Sequence, residues 1–92
     1  MSSITVLGFA FDEENEAKCA AHGITPGQVF AVLRSSFVSV RNRKQRRASH
    51  LLIGRDVAGR CLAIPVEATP DPVIWRRVTA WYCKSGEEAL LQ

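Results

Sequence analysis

No run in this chain approaches the roughly 20 consecutive apolar residues that cross a bilayer. Met1 to Phe11 contains no basic leader, long apolar core or cleavage site, so the expected location is the cytoplasm, with no membrane contact. Cysteine is scarce as well. Cys19, Cys61 and Cys83 are odd in number and widely spaced, with no C-x-x-C pair, so no disulfide staple is expected and each is read as a small buried hydrophobe. Also missing are G-x-x-x-x-G-K-[ST], G-x-G-x-x-G, H-E-x-x-H and G-x-S-x-G, which removes support for P-loop, dinucleotide-binding, zinc-protease and nucleophile-elbow enzymes. No cofactor is implied. Cys19 and His22 share a helical face, but no paired ligand spacing joins them to His50, Cys61 or Cys83, and no metal site is expected.

What is present is an ordinary globular composition: 92 residues, 47% hydrophobic and 23% charged, with six glycines and four prolines. That is one domain, residues 1–92. The formal net charge of +3 hides a division along the chain. Up to Leu33, Asp12, Glu13, Glu14 and Glu16 oppose Lys18, a net of −3. From Arg34 to Arg60, Arg34, Arg41, Arg43, Lys44, Arg46, Arg47, Arg55 and Arg60 oppose Asp56 alone, a net of +7. Such a block attracts polyanions, RNA first among them, although a solvated basic turn carries the same signature. Arginine outnumbers lysine there, and a guanidinium grips phosphate with two donors.

Ser3 to Phe11 reads as a strand. Asp12 is an N-cap for a helix reaching Ala21, with Glu13, Glu14 and Glu16 at the positive end of its dipole, and His22-Gly23 closes it. Thr25-Pro26 with Gln28 is a capping box opening a second helix, whose apolar face is Val29, Phe30, Val32 and Leu33. The two form an αα-hairpin. Strands follow from Phe37, with Arg41 to Arg47 as a basic turn. His50 to Arg55 and Arg60 to Val66 bracket Asp56-Val57-Ala58-Gly59, a hairpin connection. Pro65 implies an edge or a bulge. Val73 to Tyr82 is the last strand, and Ser85 caps a helix from Gly86 to Leu91. The expected class is α+β: a single antiparallel sheet in the order β-α-α-β-β-β-β-α, with the αα-hairpin on one face and the other free for a ligand.

His22 reads either as a helix cap or as a proton carrier near neutral pH. His50 either meets a phosphate or is a solvated strand end. Metal-free RNA cleavage by 2'-hydroxyl attack needs cations and a modest acid–base pair; Glu67 and Tyr82 join the two histidines as proton-carrier candidates. Trp75 and Trp81, an even number of residues apart on one strand, fall on one face, as core or as a base-stacking pair.

The segments Phe11-Asp12-Glu13-Glu14-Asn15, His22-Gly23-Ile24-Thr25, Val29-Phe30-x-x-Leu33, Leu51-Leu52-Ile53-Gly54-Arg55 and Gly59-Arg60 resemble the BrnT family, small toxins of type II toxin–antitoxin systems. The resemblance covers about Phe9 to Glu88. It implies a RelE-like sheet, metal-independent endoribonuclease activity, and inhibition by a BrnA-like antitoxin that also binds operator DNA. Carried over by position, the catalytic residues are His22, Arg55 and Arg60. The basic block itself, apart from the resemblance, offers Arg41, Arg43, Lys44, Arg46, Arg47 and His50 as the RNA-binding set. The implied partners are RNA and a BrnA-like antitoxin protein, with a homodimer left open. Where the family continues Ser-Ala-Arg, this chain has Thr79-Ala80-Trp81, and Pro65, Pro70 and Pro72 interrupt the usual hairpin. These departures admit an alternative: a non-catalytic nucleic-acid- or protein-binding module on the same scaffold.

Overall fold

A computed structural model describes residues 4–10, 13–41 and 48–91. The N-cap expected at Asp12 and the cations Arg43, Lys44, Arg46 and Arg47 lie outside those residues. The elements are β1 (Gly8–Ala10), α1 (Glu13–Ala21), α2 (Pro26–Arg34), β2 (Val38–Arg41), β3 (His50–Arg55), β4 (Cys61–Ala68), β5 (Ile74–Arg77), β6 (Trp81–Tyr82), α3 (Ser85–Glu88) and a 3₁₀ turn, Ala89–Leu91. The architecture is α+β.

The αα-hairpin forms as its capping signals dictate. Gly23, at φ 74°, lets the chain reverse after α1. The amides of Gly23 and Ile24 then donate to the carbonyls of Ala20 and Cys19 at 2.9 and 3.0 Å, a paired closure sealed by Ile24 and Cys19 in the core. Thr25 opens α2: the Gln28 amide donates to Thr25 Oγ1 at 3.3 Å, and Gln28 Oε1 accepts the Thr25 amide at 2.8 Å. Val29 and Val32 of α2 are fully buried. The helix approaches β3 closely at Gly54, where an added Cβ would lie 2.6 Å from Val32 Cγ1 and 3.0 Å from Phe37 Cβ.

The six-stranded sheet has the order β1-β5-β4-β3-β2, with β6 on β4. It is mixed rather than purely antiparallel, since β1 pairs with β5 in parallel. β1 leads directly into α1, so it runs towards the end from which α1 can fold back across the sheet, and that direction is also β5's. The single strand expected over Val73 to Tyr82 is two. Val66 pairs with Arg77, and Ala63 pairs with Trp81, so the three residues 78–80 face only Ile64 and Pro65. Pro65 has no N–H for the ladder; its carbonyl accepts from Val78 at 3.0 Å, and the extra residue bulges out opposite it. An odd insertion inverts side-chain parity. Trp75 therefore packs with the helix-side core and Trp81 with the opposite cluster, not on one face together.

The bulge also corrects the cysteine reading. With Leu62 opposite Tyr82, Cys61 and Cys83 become cross-strand neighbours 5.3 Å apart at Cα, and they form a disulfide. Cys19 stays free and buried, with its thiol pKa pushed up by burial. The sheet face expected to be open is covered. Leu52, Leu62, Ile64 and Val66 pack under the helices, whereas Ile53, Cys61 and Ala63 pack under Trp81, Cys83 and Leu91. The terminal helix begins at Ser85, its first turn held by Glu87 Oε1 accepting the Lys84 amide at 2.8 Å rather than by a Ser85 side-chain cap. Arg77 is wholly buried and ion-paired with Glu16 of α1, tying helix to sheet.

Gly54→Ala is expected to destabilise the protein by about 1–3 kcal/mol through overpacking against Val32, read as a lower urea midpoint at unchanged slope. A neutral result would show that α2 can lift off β3 freely.

Candidate functional site

The turn between β3 and β4 is tied to the rest of the protein by one carboxylate. The Asp56 amide donates to the Arg60 carbonyl at 2.9 Å, and Gly59, at φ 84°, completes the reversal. Asp56 has a side chain only 2% exposed. Its Oδ1 accepts the Arg60 amide at 2.9 Å, and its Oδ2 accepts Arg60 Nε and Gln28 Nε2, both at 3.1 Å. Burial alone would raise its pKa; the hydrogen bonds from Gln28 and the turn amides, with the Arg60 charge, outweigh burial and hold it below the usual carboxylate value. Gln28 Nε2 also donates to Tyr82 Oη at 3.1 Å, and the Arg60 guanidinium lies 5.3 Å from the Tyr82 ring centroid. One end of the sheet is thereby locked to the first turn of α2. Between them runs an open groove of about 470 Å³, walled by Gly27, Gln28 and Arg34 on one side and by Asp56, Val57, Ala58 and Arg60 on the other.

Arg55 reaches the same turn from the opposite layer. Its Nη1 donates to the Gly59 carbonyl at 3.0 Å and pairs with Glu88 at 3.4 Å. The side chains of this pair are 42% and 50% exposed, so the pair contributes at most about 1 kcal/mol and is open to exchange. Arg34 is exposed and, among the described residues, has no ion-pair partner. Arg34 of α2 and Arg60 of the turn therefore share the groove, and Arg55 of β3 flanks the same turn from the other layer. His22 sits exposed at the C-cap of α1, its amide donating to Cys19 O at 3.0 Å, which fits the cap reading.

The chain matches no family model, no curated protein and no solved structure.

The other candidates lie elsewhere. Arg41 and His50 face each other at the far end of β3, about 17 Å from Arg55 at roughly 3.3 Å per residue. Among the described residues of the positive block, Arg41 is thus held a strand's length away from Arg55. His50 accepts or donates at Nδ1 to Ser49 Oγ, 2.9 Å away, and packs edge-on to Trp75 with centroids 5.3 Å apart. Burial, and then the Arg41 charge, lower its pKa, so it is neutral over most of the physiological range. Glu67 pairs across the strands with Arg76 at 3.2 Å. Trp75 Nε1 donates to Thr5 O at 3.1 Å, and Trp81 Nε1 to Glu87 at 3.0 Å, so both indoles are anchored as packing groups. Among the described residues, no group of three or more His, Cys, Asp or Glu is placed to hold a metal ion, and no helix is long and apolar enough to cross a membrane.

Sequence reasoning missed Arg34, Gln28 and Asp56 as parts of the groove. Gln28 was legible as a cap and Asp56 as a turn residue; that each has a second partner depends on how α2 sits on the hairpin.

Since folding lowers the Asp56 pKa, its charge stabilises the fold above the unfolded value of 3.8, and this stability is lost as pH falls through the folded value. Asp56→Asn is expected to cost about 1–3 kcal/mol at neutral pH, with the deficit shrinking below about pH 4 in denaturant titrations. A deficit independent of pH would contradict the charged network.

Proposed function

We propose that the protein is an RNA-binding module on a BrnT-like, RelE-like scaffold, with the hairpin end of the sheet as its contact surface. The observation that carries this reading is that Arg34 and Arg60 line one open groove, while Arg55 reaches the same turn from the opposite layer. Phosphates of a single strand suit such a site, because guanidiniums on separate elements accept an extended chain of charges without requiring a base sequence. Arg34 is available as it stands, and Arg55 exchanges a weak exposed pair for a phosphate. Arg60 stays on Asp56 and lends its remaining donors.

A second reading, the metal-independent endoribonuclease toxin restrained by a BrnA-like antitoxin, is favoured by the positional match at His22, Arg55 and Arg60. Binding without turnover fits the hairpin end better. Its carboxylate is buried, held ionised and committed to Arg60, and Trp81 stands where an arginine is usual in the family.

Wild-type protein is expected to bind a labelled single-stranded RNA with strong salt dependence. Arg34→Ala should weaken binding about equally for all sequences and reduce the log–log salt slope by about 0.7. An unchanged slope would remove the groove from the interface, and absence of binding at low salt would refute the proposal. Incubation with RNA in EDTA separates the two readings: intact RNA supports the module, while cleavage abolished by Arg55→Ala establishes the toxin.

A further inference from the structure

The segment after β6 lies over the sheet face opposite the helices, and its attachments converge on the proposed site. Cys83 is bonded to Cys61 of β4. Trp81 Nε1 donates to both Glu87 oxygens, at 3.0 and 3.3 Å. Glu88 pairs with Arg55 at 3.4 Å, and Leu91 packs in the cluster with Ile53. One of these attachments is covalent, and it stands at the segment's root. Beyond it, α3 has four residues and none is buried; a helix of that length has no stability of its own in water. The order of residues 84–91 therefore depends on what anchors them, and the carboxylate they deliver sits on a guanidinium needed for RNA.

We infer that the C-terminal segment is a redox-controlled cover for Arg55: with Cys61 and Cys83 bonded, Glu88 competes with phosphate for Arg55, and reduction releases the segment and frees the guanidinium. The inference rests on the RNA-binding reading. Opening takes two electrons and two protons from a dithiol reductant. One of its thiolates attacks a sulfur of the protein disulfide, its second thiol resolves the mixed disulfide, and the protein is left with two thiols while the reductant becomes a disulfide. Closing is the reverse exchange with a low-molecular-weight disulfide such as oxidised glutathione. Cys83 is partly exposed, whereas Cys19 is buried on the other side of the sheet with its thiol pKa raised, so exchange is confined to the pair.

The test uses the full chain, oxidised and after reduction by dithiothreitol, with Glu88→Gln in both states. Hydrogen exchange of residues 84–91 and affinity for a labelled single-stranded RNA are measured. Reduction should accelerate exchange in 84–91 while β3 and β4 stay protected, and should tighten RNA binding roughly two- to five-fold, the worth of an exposed ion pair. Glu88→Gln should give the oxidised protein the same gain and abolish the difference between states. Unchanged exchange in 84–91, loss of protection throughout the sheet, or equal RNA affinity in both states despite a released segment would each overturn the cover. Release of the segment with no RNA binding in either state would instead sink the RNA reading while leaving the redox release in place.

Discussion

Residues 61–66 of β4 are buried on both faces, and the rest of the structure answers that constraint. A strand with no solvent-facing side needs apolar cover twice, and a chain of 92 residues has little surface to spare for it. The αα-hairpin supplies one cover with Val29, Val32, Cys19 and Ile24. The other comes from the chain's own end, where Trp81, Cys83 and Leu91 close over Ile53, Cys61 and Ala63. The bulge opposite Pro65 makes the second cover possible, because without the parity change Trp81 and Cys83 would have pointed into the helix layer.

Once both faces are occupied, charge is pushed to the ends of the strands. Among the described residues, Arg77 departs from this: it is buried within β5 and anchored to Glu16, and Arg76 beside it pairs with Glu67 across the strands. At the hairpin end Asp56 fixes Arg60, Gln28 and, through Gln28, Tyr82, so α2, the turn and β6 behave as one rigid corner. Such a preformed corner has little conformational freedom left to lose in any contact, whereas the Arg55–Glu88 pair beside it is half exposed.

The parts of this fold governed by local rules were legible in the sequence. The Thr25–Gln28 capping box, the Gly23 helix end and the Asp56–Gly59 turn are each decided by a few neighbouring residues, and each appears where its chemistry requires. Parity was not legible beyond Pro65. The sequence shows a proline that interrupts a ladder, but not which strand takes up the extra residue, so the facing of Trp81, the Cys61–Cys83 bond and the covering of the second face all stayed hidden together. Charge failed for a different reason: Arg41 and Arg55 are close in sequence, but β3 holds them a strand's length apart, while Arg34 and Arg60, far apart in sequence, share a groove. Of the expected site, Arg55 and Arg60 do meet at one turn, though from opposite layers.

The central claim, that the guanidiniums of Arg34 and Arg55 at the hairpin end receive a polyanionic strand, is tested most directly by following arginine Nε–H resonances of isotope-labelled protein as single-stranded RNA is added. The account predicts shifts at Arg34 and Arg55, a smaller one at Arg60, and none at buried Arg77. Shifts confined to Arg41, Arg43, Arg46 and Arg47, with the hairpin arginines silent, would contradict it.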